Sequence, residues 1–212
     1  MTIVFALLCE DGQNAVVASD SLHLCYPPMN SIIMDSKMTK LTRVENAIIS
    51  GSGRVEDFDM ILAAYTQKIP FPNRTLLFDE MFLEEKGYEI DVKLWHIFHH
   101  YLKYRHERNE LLGDEDEDIT YATTDLLIVF PSFDKGVQLS WIRSNGALYH
   151  ELIKPYLAIG MRDTFEVLAR VTPWEATGTV AEAKEYANKI LDFYDEHVVF
   201  AGGDRHIEVL LK

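Results

Sequence analysis

The sequence is short of cysteine, of clustered positive charge and of long apolar runs. Each shortage excludes a class of protein. There are two cysteines, Cys9 and Cys25, too few for a disulfide framework, and they read as free thiols of a reducing cytoplasm. The first lysine is Lys37, so the N-terminus has no basic n-region. The apolar stretch FALL is too short for a signal core or a membrane span. The expectation is a cytoplasmic chain with no membrane partner. Lys and Arg number 20 against 34 Asp and Glu, a net charge of −14. The basic residues are scattered, whereas nucleic-acid binders concentrate them to meet phosphate. Nucleic acid is therefore excluded as an expected partner. No GxGxxG, P-loop or HExxH pattern occurs, and no cofactor is expected. Internal repeats, low-complexity linkers and composition breaks are also missing, so residues 1–212 are expected to form one domain.

Hydrophobic residues make up 48% of the chain, enough to build a substantial core. Residues 3–9 and 15–20 are apolar runs on either side of EDGQN and predict a β-hairpin. LHLCYPPMN reads as a loop, because Pro27-Pro28 interrupts regular structure. SIIM predicts a short strand, and KMTKLTRV with NAIISG a second hairpin. From Arg54 the apolar period becomes helical, with Phe58, Ile61, Leu62 and Tyr65 predicting a helix over 54–68. Residues 71–90 fit either a helical turn or an aromatic lid. A second helix is predicted over 91–107. DLLIVFPS, GVQLSWIR, ALYHELI and PYLAIG then predict strands, with Asn145-Gly146 as a hairpin turn. Helices over 162–171 and 179–196 follow, the latter opened by a capping box of Thr179 and Glu182. VVFAGG and HIEVLL close the chain as strands. Strand runs separated by helix pairs predict an α+β fold with two stacked, mainly antiparallel sheets. With a helix pair on each outer side, this is a four-layer αββα sandwich.

Several patterns carry possible chemistry. His96 and His100 stand one helical turn apart, the HxxxH spacing that can chelate zinc. The glutamate of HExxH is missing, and a polar helix face is the preferred reading. No metal is expected. Cys9 and Cys25 read as packing thiols, since neither has an evident base. The acidic run 114–118 reads as a solvated loop, with a hard-cation site as the alternative. Gly51 lies at a strand-to-helix junction, where free N–H groups can face an oxyanion. Thr2 follows the start methionine directly. Removal of Met1 would give Thr2 a free α-amine of pKa about 8, able to act as general base for its own hydroxyl. The alternative is that Thr2 is an ordinary first residue.

Taken together, MTIV, Ala18-Ser19-Asp20, SKMTKLTRV, IISGSGRVED, AIGMRD and GGDRHIEVLL resemble, in order, the motifs of the proteasome-type peptidases. These are N-terminal nucleophile (Ntn) hydrolases, and the resemblance covers nearly the whole chain. It implies the αββα sandwich and a threonine-type endopeptidase acting on peptide or protein substrates. It assigns Thr2 as nucleophile, Asp20 and Lys40 as its charged partners and Gly51 as the oxyanion glycine. It also implies a homo-oligomeric ring and a possible regulatory unfoldase. Met161 stands where the family has a serine, and residues 198–201 where it has Asp-x-x-Ser. Aligned without gaps, Met1 takes the nucleophile's position; the longer first hairpin lets Thr2 take it instead. Two alternatives share the fold: a non-catalytic structural subunit, and a small-molecule amidase.

Overall fold

The structure is a computed structural model that describes residues 3–21, 23–25, 32–34, 40–66, 89–112, 124–198 and 202–212. The expectations for Thr2, for residues 71–88 and for the acidic run 114–118 fall outside the described residues.

The first sheet has four strands in the order β10-β1-β2-β11. These are β1 (Ile3–Cys9), β2 (Asn14–Asp20), β10 (Tyr156–Gly160) and β11 (Arg205–Leu211). The second has five strands, β5 (Leu41–Val44), β6 (Ala47–Ser52), β7 (Asp125–Pro131), β8 (Val137–Ile142) and β9 (Leu148–Glu151), in chain order. Every recorded pairing is antiparallel. Strand alternation sorts the side chains. Val4, Ala6, Ala15 and Val17 of the first sheet join Ile48, Leu127, Val129 and Leu139 of the second in one buried cluster, so the sheets stack face to face. Phe5, Leu7, Val16 and Ala18 point the other way. They pack on α3 (Arg162–Val171) and α4 (Val180–His197) through Phe165, Ala187, Leu191 and Tyr194. The far side of the second sheet, with Ile49, Leu126 and Ile128, packs on α1 (Val55–Tyr65) and α2 (Ile90–Leu112) through Ile61, Leu94 and Phe98.

The first hairpin turns at Glu10, Asp11 and Gly12, all with positive φ, the left-handed conformation a tight turn requires. Asn145-Gly146 turns β8 into β9 as its sequence predicts, with Gly146 at φ 82. Two readings need correction. His23–Cys25 is a short strand, β3, rather than loop; it pairs with β4 (Ile32–Met34). Pro27 and Pro28 fall outside the described residues. Val198 is not in a strand: it caps the C-terminus of α4, and its N–H donates to the Tyr194 carbonyl at 3.0 Å. The second helix outruns its predicted end by five residues, 107 to 112, because HERNELL contains strong helix formers and no Gly or Pro before Gly113.

The capping box of α4 is present. The Thr179 hydroxyl accepts from the Glu182 N–H at 3.2 Å, and the Glu182 carboxylate accepts from the Thr179 N–H at 2.8 Å. The Thr179 N–H and the Thr179 hydroxyl, which donates to the same carboxylate oxygen at 2.8 Å, hold the Glu182 carboxyl below its ordinary range. Thr179→Ala is expected to cost about 1 kcal/mol in urea unfolding. The glutamate's share is present above its unfolded pKa and lost as pH falls through the lowered folded value. The difference between wild type and variant should therefore shrink in acid.

Candidate active site

Asp20 ends β2 and Lys40 immediately precedes β5, so one comes from each sheet. Lys40 Nζ meets Asp20 Oδ1 at 2.7 Å, with side chains 4% and 3% exposed. The same oxygen accepts the Ile3 N–H at 3.2 Å, and Oδ2 accepts the Gly202 N–H at 3.3 Å. The Ile3 N–H belongs to the peptide that joins Thr2 to Ile3. The expected pair thus meets at the start of the first strand. Burial pushes the Lys40 ammonium below the ordinary lysine range, and the Asp20 charge and hydrogen bond oppose that shift. A lysine so placed gives up its proton more readily than an exposed one.

Gly51 lies one residue past Ser50, whose hydroxyl donates to the Lys40 carbonyl at 2.7 Å. The glycine also has a packing role. A Cβ there would stand 2.6 Å from Phe58 Cδ2 on α1. Gly51→Ala is expected to cost about 1–3 kcal/mol through overpacking. In a Phe58→Ala background, which removes the Cγ and Cδ2 atoms in the way, the same substitution should cost much less in a urea midpoint.

Sequence reasoning missed the polar residues around this pair. Ser19 and Ser21 flank Asp20, are fully buried, and have hydroxyls without a partner among the described residues. Ser19 pairs with His206 across β2 and β11, and His206 Nε2 is likewise buried and unpartnered. By alternation Ser19 shares the face of Ala15 and Val17, which lies between the sheets. The layer between the sheets is therefore apolar along most of its length and polar at the end where β1 begins. Buried polar atoms without partners are scarce in folded proteins, and their concentration here marks a place built for polar occupants. The signal was present in AVVASDS, where serine replaces valine on one alternating face.

The other expected candidates separate. The Cys9 thiol is buried, and burial followed by the nearby Glu10 charge pushes its pKa up to about 11, which suits packing rather than nucleophilic attack. His96 stacks edge-on against Trp95, while His99 Nε2 lies 3.0 Å from the Gly146 carbonyl. Among the described residues no group of three or more His, Cys, Asp or Glu is placed to hold a metal ion. Met161 uses its carbonyl to accept the Tyr194 hydroxyl at 2.9 Å. One further trio, Asp91, Ser140 and His150, has the residue types of a hydrolytic triad but not its geometry. Asp91 at 3.2 Å and Ser140 at 3.0 Å both meet the same imidazole nitrogen, Nδ1. A triad needs nucleophile and orienting carboxylate on opposite nitrogens of the histidine base.

Among the described residues no helix is long and apolar enough to cross a membrane. No protein-family model matches the chain, and no curated protein matches it.

Proposed function

We propose that this chain hydrolyses peptide bonds as a proteasome-like Ntn hydrolase on a four-layer αββα sandwich. Thr2, freed by removal of Met1, is the nucleophile. The reading is supported chiefly by the buried Lys40–Asp20 pair bonded to the Ile3 N–H, the first amide after Thr2. In the proposed reaction the Thr2 hydroxyl oxygen attacks the scissile carbonyl carbon while its own α-amine takes the proton. The Lys40 charge lowers the hydroxyl pKa, and Asp20 orients the lysine. The Gly51 N–H receives the negative charge that develops on the carbonyl oxygen. The C–N bond then breaks, and the departing amine carries off the proton held by the α-ammonium. Water adds to the ester left on Thr2 and releases the acid. The working form is a homo-oligomeric ring, with an unfoldase as possible regulator.

A second reading, a non-catalytic subunit of such an assembly, is favoured by one feature. Asp20 accepts from Lys40, Ile3 and Gly202 together, so the pair also serves as a structural clamp between the sheets. A panel of peptide and small-molecule amides, with an intact mass of the same sample, separates the readings. Turnover of peptides by protein lacking Met1 supports the peptidase. Turnover of small amides alone makes the chain an amidase, and retained Met1 without turnover favours the structural subunit.

A further inference from the structure

At the β9 edge of the second sheet, a cavity of about 260 Å³ opens between β8–β9 and the β10–α3 corner. Its walls include Trp141, Arg143, Tyr149, Glu151, Leu157 and Arg162. The Trp141 indole carries two guanidiniums, Arg143 at 4.9 Å and Arg162 at 4.7 Å from the ring centroid. Tyr149 stacks at 5.7 Å from the same ring, and Arg143 reaches it at 5.9 Å. A guanidinium on an aromatic face uses its π surface and leaves its in-plane N–H donors available. Arg162 directs one nitrogen towards Glu166 at a long 3.5 Å. The Trp141 indole N–H is buried beside the Asp125 carboxylate without an ideal hydrogen bond, whereas those of Trp95 and Trp174 donate to Gly146 and Leu8 at 2.7 Å each. On the cavity wall Glu151 Oε1 accepts the N–H groups of Ile153 and Lys154 at 3.1 and 3.0 Å. Asp125 is the other carboxylate in the field of Arg143. Burial raises its pKa, and the Ser144 N–H, the Arg143 charge and the Trp141 indole N–H oppose that shift. The cavity is thus rich in donors and flat apolar walls in a chain of net charge −14.

We propose that this cavity binds a carboxylate attached to a flat or apolar body, and that it is the substrate subsite for an acidic side chain. The volume suits such a group, since a cavity of about 150 Å³ is enough for benzene. The position suits it as well. Trp141 pairs with Leu127 and Leu127 with Ser50, so β8 lies two strand spacings, about 10 Å, from β6. Ser50 is the residue bonded to the Lys40 carbonyl. From the other sheet, Arg162 follows by two residues the Gly160 that pairs with Ile3. The binding claim stands on the cavity alone; the subsite role rests on the hydrolase reading.

The test uses the full chain labelled with 5-fluorotryptophan, whose three tryptophans give three fluorine resonances, assigned with Trp141→Phe. Benzoate should shift the Trp141 resonance saturably, while benzyl alcohol at the same concentration should not. Arg143→Gln and Arg162→Gln should each weaken benzoate by about tenfold or more, as loss of a charged hydrogen bond implies. If either glutamine variant melts early, Arg143→Lys, which keeps the charge but not the fork, should weaken benzoate at unchanged stability. The absence of a saturable shift, an equal shift with benzyl alcohol, or unaltered affinity in both arginine variants would overturn the proposal. A second arm compares peptides carrying Glu or Gln beside the scissile bond, with kcat/KM expected about tenfold higher for Glu. Benzoate binding without hydrolysis of any peptide keeps the cavity and removes the hydrolase reading. Hydrolysis without a Glu preference removes the subsite role.

Discussion

Thr2→Ala should reduce peptide hydrolysis by at least about a thousandfold, while the chain still folds and assembles. The size follows from the role. Removing a nucleophile leaves only binding and oxyanion stabilisation, and enzymes that keep those two retain a small residue of their acceleration. Thr2→Ser should keep measurable turnover, because the hydroxyl and α-amine remain. Rates are measured on one fluorogenic peptide, with light scattering and thermal melting on the same samples. A Thr2→Ala protein that cuts peptides at the wild-type rate would remove Thr2 from the mechanism. Serine and alanine variants that are equally inactive, beside an active wild type, would point to a need for the threonine methyl group rather than its hydroxyl alone.

The largest stability effect is expected at Asp20. Asp20→Ala leaves the Lys40 ammonium, whose side chain is 4% exposed, without its carboxylate. It also deprives the Ile3 and Gly202 N–H groups of their acceptor. Breaking one side of a buried ion pair costs about 3–5 kcal/mol. The pH dependence has a definite sign. Burial already lowers the Lys40 pKa in the folded chain, and loss of Asp20 lowers it further. Between that value and the unfolded one, the unfolded chain binds more protons, so stability rises with pH across the window. The cost of Asp20→Ala should therefore be greatest near neutrality and shrink as pH climbs towards the ordinary lysine range. The double variant Asp20→Leu with Lys40→Met should recover much of the stability. It should not recover hydrolysis, and that split separates the clamp from the catalytic role. A double variant that is stable and fully active would assign the pair to structure alone.

Much of the fold was legible because its signals are local. The turn of EDGQN, the Asn-Gly hairpin and the Thr179–Glu182 box each specify a backbone conformation through neighbouring residues. The change from a period of two to a helical period at Arg54 is likewise local. What was not legible depends on partners distant in sequence. His23–Cys25 is a strand because Ile32–Met34 pairs with it, which its own composition does not announce. The Lys40–Asp20 pairing was legible through the resemblance, by which SKMTKLTRV and ASD stand in order. The unpartnered Ser19, Ser21 and His206 were not, since their meaning comes from the register of β2 with β11 and from the second sheet stacked above. Gly51 was read as an oxyanion glycine, but the Phe58 ring against it supplies a packing reason that no spacing rule contains. The arginine-lined cavity was invisible for a similar reason. Arg143 and Arg162 come from different elements and meet only over Trp141.

The central claim is that Thr2 carries a reactive hydroxyl beside Lys40 and Asp20. It is tested most directly by trapping the acyl intermediate. The full chain is incubated with a peptide β-lactone, whose ring opens by acyl transfer to a nucleophilic hydroxyl, and the products are mapped by mass spectrometry. The account requires an intact mass lacking Met1, raised by one lactone, with the added mass on the N-terminal peptide at Thr2. It also requires that the adduct fail to form in Thr2→Ala and in Lys40→Met. Retained Met1, or an adduct at another residue that survives Thr2→Ala, would contradict it.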